Sequence, residues 1–294
     1  MTAKDDTRVP PFGGDEALTP FDSAAVAVLP VPYEATVSYG GGTRSGPDAI
    51  LRASAQVELY DEQLGFEPRH AGIWTSAALD VTGATEDVLR RIELRTGELM
   101  DAGKWVVMLG GEHSITPGGV AAAAKRNEDL VVVQLDAHAD LRQSYLGDRY
   151  SHACAMARCL DYGVPLVAIG IRNYSVDEAK WIQSGIPGYR IVHGWELEPA
   201  DQWVESVIED LEEKPVYLTI DLDYFDPAIV PATGTPEPGG GAWWPTLRFL
   251  ERLIRHTNVV ACDLVELAPS PALHHADFTA ARLAYKLIGM RFPV

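Results

Sequence analysis

Seven short apolar runs, separated by segments with helical spacing, constrain the fold of this chain more than any other feature. The runs are Ala25–Val31, Trp105–Leu109, Leu130–Leu135, Leu166–Ile171, Tyr189–Val192, Val216–Ile220 and Val259–Val265. Most of them are almost entirely apolar, which is typical of strands that are covered on both faces. Because a helix-length segment separates consecutive strands, the strands can lie parallel in one sheet. The sequence therefore predicts an α/β fold with one mainly parallel sheet between two helix layers.

The segments between the runs contain the predicted helices. One begins after a glycine-rich loop, with Ser45 or Asp48 as its cap and Pro47 in its first turn. The others are Thr85–Ala102, Pro117–Arg126, Ser151–Tyr162, Val176–Gln183, Ala200–Glu213, Pro245–His256 and Phe278–Ile288. No long linker or shift in composition divides the chain, so we predict a single domain over residues 1–294, with residues 1–24 as an N-terminal arm.

The charge balance narrows the possible partners. Acidic residues outnumber basic residues by 42 to 24, which gives a net charge of −18. Without a Lys/Arg cluster, such a chain is not expected to bind nucleic acid or an anionic membrane. The charge indicates either a solvated acidic surface, suited to high salt, or a field that steers a cationic substrate.

Cysteine usage and the N-terminus both suggest the cytoplasm. Cys154, Cys159 and Cys262 form no CxxC pair, so neither a disulfide framework nor a thiolate zinc site is predicted. The first residues lack the apolar run of a signal peptide, and no stretch reaches the ~18 apolar residues of a membrane span. We therefore expect a cytoplasmic protein.

The segment DAHAD, which follows the apolar run VVVQL, reverses the polarity of the chain. If the chain stays extended, Asp136, His138 and Asp140 lie on one face, about 6.7 Å between neighbours. No Lys or Arg precedes Arg142 in this region to neutralise the carboxylates. A solvated strand end is the plain alternative, but the small alanines between these residues suit a crowded site.

Three further strand ends carry similar side chains. Glu112 and His113 follow one run, Asp221 and Asp223 end a second, and Asp263 and Glu266 end a third. Each pair alone could be an ordinary loop or core feature. Because ligands of open parallel sheets bind at the carboxyl ends of the strands, the joint occurrence predicts one site.

The acidic and imidazole side chains of this site predict a binuclear metal centre. The set is His113, Asp136, His138, Asp140, Asp221 and Asp223. Four converging carboxylates alone would repel one another and destabilise the fold. Two divalent cations, roughly 3.5–4 Å apart, would neutralise them and activate a shared water as nucleophile. Oxygen and imidazole ligands without sulfur favour two Mn(II) ions, with Fe, Co, Ni or Zn as alternatives.

Five ordered motifs in the chain resemble those of the ureohydrolase family of arginases and agmatinases. They are GGEHS (110–114), DAHAD (136–140), YSHACAM (150–156), TIDLDYFDPAIVPATGTPEPGG (219–240) and DLVELAP (263–269). The resemblance extends from about Val26 to Gly289. It implies a three-layer α/β/α fold with an eight-stranded sheet, and homo-oligomers, commonly trimers or hexamers.

The resemblance also implies a role for each matching residue. One Mn(II) would be held by His113, Asp136, Asp140 and Asp221, and the other by Asp136, His138, Asp221 and Asp223. Asp136 and Asp221 would bridge the two ions. The guanidinium-holding carboxylate matches Glu266, and the proton-shuttling histidine matches His152. Asp140 would also accept a proton from the attacking water. The implied reaction releases urea and an amine.

Agmatine is the substrate that the sequence favours first, with putrescine and urea as products. Arginases have a polar Asn/Ser/Thr-rich loop before the family histidine, whereas this chain has LRQSYLGDRYSH (141–152), which looks like bacterial agmatinases. The segment HADFTAARLAYKLIG (275–289) is similar to enzymes that hydrolyse N1-aminopropylagmatine, so that longer cation is the alternative. Arg142 and Arg149 could instead bind a substrate carboxylate, so a carboxylated guanidino acid or formiminoglutamate is the third candidate substrate.

Three other classes fit less well. A calcineurin-type phosphoesterase would need GDxxD and GNHE segments, which the sequence lacks. A deacetylase of the related fold uses one zinc and lacks the second Asp-x-Asp pair. A binding or scaffold protein of this fold should have lost ligands, and all six are present.

Overall fold

The computed structural model describes residues 9–198 and 201–293. Its centre is one eight-stranded sheet in the order β2-β1-β3-β8-β7-β4-β5-β6, and every strand pair is parallel. The strands are β1 Val26–Val31, β2 Ile73–Thr75, β3 Trp105–Gly110, β4 Val131–Leu135, β5 Leu166–Ile171, β6 Tyr189–His193, β7 Pro215–Asp221 and β8 Asn258–Val265. The predicted parallel sheet is confirmed, and so are the eight strands that the family resemblance implies.

Both faces of the sheet are covered by helices. The helices are α1 Gly46–Ser54, α2 Thr85–Asp101, α3 Thr116–Ala124, α4 Ala155–Leu160, α5 Val176–Gln183, α6 Asp201–Leu211, α7 Trp243–His256 and α8 His275–Arg291. Alternate residues of β1 pack into two different apolar cores. Val26 and Val28 face the core that contains α1 and α8. Ala27 and Leu29 face the core that contains α2 and α3. This alternation is why the runs are apolar throughout.

The apolar pattern did not predict β2. This strand has three residues and pairs with β1 at one end of the strand order. A strand this short has too few residues to display a period. It adds the eighth strand to the seven that the pattern predicts.

Some predicted boundaries differ from the structure. The predicted helix from Ser151 to Tyr162 is a 3-10 turn, His152–Cys154, followed by the short α4. Ser45 precedes α1, but its side chain makes no capping hydrogen bond. Ala200, the predicted start of the helix that contains α6, lies outside the described residues.

The described part of the N-terminal arm packs against the domain. Phe12 is buried, and its amide donates to Thr75 Oγ1 at 2.9 Å. The amide of Gly13 donates to Ser54 Oγ at 2.9 Å. Residues 1–8 of the predicted arm lie outside the described residues. None of the helices in residues 9–198 and 201–293 has the length and apolarity that a membrane crossing requires.

Candidate metal centre

The predicted site residues meet at the carboxyl end of the four central strands. His113 follows β3, Asp136 follows β4, Asp221 ends β7 and Glu266 follows β8. These strands are neighbours in the sheet, in the order β3-β8-β7-β4. Sheet order therefore brings together residues that are up to about 150 positions apart in the chain.

His113 is the centre of a first ligand group. Its Nδ1 lies 3.1 Å from Asp136 Oδ2, 3.1 Å from Asp140 Oδ2 and 3.3 Å from Asp221 Oδ2. Nδ1 is buried and makes no hydrogen bond in acceptable geometry with any of these oxygens. A buried nitrogen surrounded in this way by carboxylate oxygens fits the ligand shell of one cation.

Asp136, His138 and Asp223 form a second ligand group. His138 Nδ1 lies 2.9 Å from Asp223 Oδ2 and 3.7 Å from Asp136 Oδ1. Asp136 therefore presents Oδ2 to the first group and Oδ1 to the second, which is the arrangement of a bridging carboxylate. Asp221 lies with the first group, and its Oδ1 accepts a hydrogen bond from the amide of Asp223 at 2.8 Å. That Asp136 and Asp221 bridge two metal ions stays a prediction.

The extended conformation that we expected for DAHAD is wrong. Strand β4 ends at Leu135, and Asp140 has a φ of 51°, in the left-handed region. The carbonyl of Asp140 accepts the amides of Met156 and Ala157, both at 3.1 Å, so the start of α4 holds the turn in place. Asp140 thus reaches His113 because the chain turns after β4, and not because of a two-residue period.

Three polar side chains beneath the site position its ligands, and the sequence did not reveal their roles. His113 Nε2 lies 2.9 Å from Thr219 Oγ1, which donates to Asp263 Oδ1 at 2.6 Å. Thr219 Oγ1 therefore accepts a hydrogen bond from Nε2–H, and the lone pair of Nδ1 is left to bind a metal cation. Gln134 Nε2 donates to Asp136 Oδ2 at 2.7 Å and to the carbonyl of His138 at 3.1 Å. The available signal was a polar residue inside an apolar strand, as at Gln134 and Thr219.

Glu266 and His152 join the site from different elements. Glu266 Oε1 accepts the amide of His113 at 2.7 Å, so this carboxylate is tied to the backbone of a predicted ligand. Glu266 has a φ of 65°, a conformation that costs a non-glycine residue roughly 1–2 kcal/mol. Burial and the charge of Asp136 raise the pKa of Asp140, whereas His113 and then His152 lower it. His152 lies on the 3-10 turn directly before α4, the helix whose first amides hold the carbonyl of Asp140.

The pKa values of Asp221 and His138 are both raised above their usual values. Burial raises the pKa of Asp221 well above its usual range, and the charges of Asp223 and Asp136 raise it further. Burial lowers the pKa of His138, but Asp223 and Asp136 more than offset this and raise it to about 12. A metal ligand must be deprotonated, so a cation has to displace these protons.

Metal binding is therefore expected to release protons, and the apparent affinity for Mn(II) should increase as the pH rises from about 6 to 8. The sign follows from the raised pKa values, because groups that are protonated at neutral pH lose their protons more easily at higher pH. Calorimetric titration of metal-free protein in two buffers with different ionisation enthalpies measures the release. Equal observed enthalpies in the two buffers would contradict this expectation.

Comparison with known proteins agrees with this geometry. The model of the arginase family matches residues 24–289. An N(1)-aminopropylagmatine ureohydrolase of Synechocystis sp. is 42% identical over 288 residues, which are 95% of this chain and 92% of that protein. An agmatinase of Bacillus anthracis is 35% identical over 263 residues, 88% of each protein. A solved structure of the agmatine ureohydrolase of Thermoplasma volcanium is 31% identical, has a TM-score of 0.85 and covers 97% of this chain and 94% of that chain.

The family match includes every residue of the two ligand groups, His152 and Glu266. It confirms the resemblance that the five motifs indicate and identifies the chain as a hydrolase that acts on guanidino C–N bonds. The chain belongs to the arginase family.

Proposed function

We propose that this protein is an N1-aminopropylagmatine ureohydrolase that produces spermidine and urea. The observation that carries the choice of substrate is the 42% identity to a relative named for that activity, against 35% to an agmatinase. This reverses the order that the loop before His152 suggested, in which agmatine came first. Agmatine remains the second candidate because a solved neighbour with a TM-score of 0.85 is an agmatine ureohydrolase.

The charges around the site favour a cationic substrate over a carboxylated one. Arg142 Nε lies 3.8 Å from Glu178 Oε2, and its guanidinium lies over the Tyr145 ring at 5.0 Å. Arg149 pairs with Asp161 at 3.1 Å. Both arginines therefore have acidic partners with which a substrate carboxylate would compete. A net charge of −18 also suits a polyamine-like cation.

Each site residue has a proposed role in this reaction. Two Mn(II) ions held by the two ligand groups would supply an activated water as the nucleophile for the guanidinium carbon. Asp136 would belong to both groups, and Asp140 would accept a proton from that water. Glu266 orients the planar guanidinium by paired charge-assisted hydrogen bonds. His152 gives a proton to the leaving amine as the C–N bond breaks.

The remaining parts of the proposal concern the whole protein. We propose that the chain forms a single domain, acts in the cytoplasm and assembles into a homo-oligomer. Family resemblance supports the oligomer, and the free, buried cysteines are compatible with a reducing compartment.

Urea release from a panel of guanidines tests the proposed substrate. The Mn(II)-loaded protein is assayed with N1-aminopropylagmatine, agmatine, arginine, guanidinobutyrate and guanidine. We expect kcat/KM for N1-aminopropylagmatine to exceed that for agmatine by about 10-fold or more, because the aminopropyl extension adds contacts worth 1–3 kcal/mol. An equal or higher value for agmatine would make the protein an agmatinase, and no urea from any guanidine would refute the proposal.

Glu266→Gln is expected to lower kcat/KM by at least ~10²-fold, about 2.7 kcal/mol of transition-state stabilisation. The oxygen of the introduced Gln can still accept the hydrogen bond from the His113 amide. Its NH₂ group then replaces the second carboxylate oxygen, and this donor faces the N–H donors of the guanidinium. Metal content should stay at the parent value. Glu128→Gln is the control, because it makes the same chemical change at an exposed residue. Parent-like activity of Glu266→Gln would show that Glu266 does not hold the guanidinium.

A further inference from the structure

Glu112 is a fully buried carboxylate to which the proposed reaction assigns no role. Its Oε2 accepts the amides of Ala35 and Thr36 at 2.8 and 2.7 Å. Its Oε1 accepts the hydroxyls of Thr36 and Ser114 at 2.8 and 2.5 Å. Four donors of this kind suit an ionised carboxylate. They join the loop after β1 to the loop that carries His113.

The hydroxyl of Thr36 connects Glu112 to His152. A threonine hydroxyl has one proton and two lone pairs. Its proton goes to Glu112, because an ionised carboxylate can only accept. Both lone pairs then face His152, whose backbone amide lies at 2.9 Å and whose Nδ1 lies at 3.1 Å.

This arrangement leaves one tautomer of His152 in hydrogen-bonding contact with Thr36. A protonated Nδ1 donates to Thr36 Oγ1, whereas an unprotonated Nδ1 would place its lone pair against an oxygen lone pair at 3.1 Å. Ser151 Oγ could donate to an unprotonated Nδ1, but it lies 3.4 Å away, near the limit for such a bond. The shorter contact favours the proton on Nδ1.

We infer that Thr36, held by Glu112, fixes His152 in the tautomer with hydrogen on Nδ1, so that Nε2 is the nitrogen that exchanges protons in the reaction. The inference rests on the proposed function, in which His152 protonates the leaving amine. Nε2 takes a proton from solvent, which gives an imidazolium with hydrogen on both nitrogens. It passes that proton to the amine nitrogen, which also receives the electron pair of the broken C–N bond. Thr36 and Glu112 are thus positioning residues.

Variants of Thr36 test this inference in two backgrounds. Thr36→Val removes the hydroxyl at nearly constant volume, and Thr36→Ser keeps it. We expect Thr36→Val to lower kcat by about 10–100-fold, by analogy with the cost of removing a hydrogen-bond partner that orients a metal-bound imidazole. KM should change by less than about three-fold, and Thr36→Ser should keep kcat within about three-fold of the parent. In a His152→Asn background, Thr36→Val should lower kcat by less than about two-fold, because both substitutions affect proton transfer by His152.

Two kinetic results would overturn the inference. One is an equal loss for Thr36→Val with and without His152, which would mean that Thr36 acts elsewhere. The other is a Thr36→Ser variant as slow as Thr36→Val, which would mean that the hydroxyl is not what matters. Metal content and the unfolding midpoint of each variant show whether the loop after β1 has collapsed.

A spectroscopic measurement tests the tautomer without turnover. In Zn(II)-loaded protein labelled with ¹⁵N-histidine, solid-state NMR distinguishes protonated from unprotonated ring nitrogens. The signals that disappear in His152→Asn belong to His152. We expect a protonated Nδ1 in the parent and a mixture of tautomers in Thr36→Val, whereas hydrogen on Nε2 alone in the parent would overturn the inference. If the parent released no urea, the proposed function would fail while this measurement still decided the tautomer.

Discussion

Asp136→Asn is expected to abolish urea release, a loss of about 10³-fold or more, since activation by the two ions contributes several kcal/mol. Asp136 turns one carboxylate oxygen to each ligand group, 3.1 Å from His113 Nδ1 and 3.7 Å from His138 Nδ1. An amide can present only one oxygen, and its NH₂ group cannot bind a cation. The variant should therefore contain less than two metal ions per chain.

Asp136→Asn should still fold, because Asn keeps the shape of Asp136 and its oxygen can still accept the backbone amide of His138. Metal analysis, urea assay and circular dichroism of the purified variant measure the three expectations. Asp129→Asn, an exposed change seven positions away, is the matched control and should retain metal and activity. Two bound ions and parent-like turnover in Asp136→Asn would show that the metal centre lies elsewhere.

His152→Asn is expected to slow turnover by about 10²–10⁴-fold while both metal ions stay bound, since this is the usual contribution of a general acid. The reason is positional. His152 lies on the 3-10 turn before α4, and its Nδ1 contacts Thr36 rather than a carboxylate of the ligand groups. Asn can keep a donor near the position of Nδ1, but it has no second ring nitrogen from which to pass a proton to the leaving amine.

Initial rates of urea release, with metal content determined on the same samples, measure the effect of His152→Asn. His70→Asn is the control. His70 is exposed, lies near Glu67 and belongs to none of the five motifs. Loss of a metal ion from His152→Asn would make His152 a ligand, and an unchanged rate would remove it from the reaction.

Local sequence patterns determined most of the sheet and the identity of the acidic and imidazole residues. The apolar runs predicted seven strands because a buried parallel strand needs apolar side chains on both faces. Asp136, Asp221 and Glu266 could be predicted to converge because parallel strands end at one edge of the sheet. The five motifs indicated the family, which the comparisons confirm.

The tertiary structure decided what depends on contacts between distant parts of the chain. Asp140 reaches His113 because amides of α4 hold its carbonyl in a turn, and no local pattern encodes a left-handed φ at an aspartate. The three-residue β2 forms at the sheet edge because β1 offers it a partner. Glu112, Thr36 and His152 become one hydrogen-bonded unit only when the loop after β1 meets the loops after β3 and β4. Hydrogen-bond direction requires the positions of both partners, which the sequence does not contain.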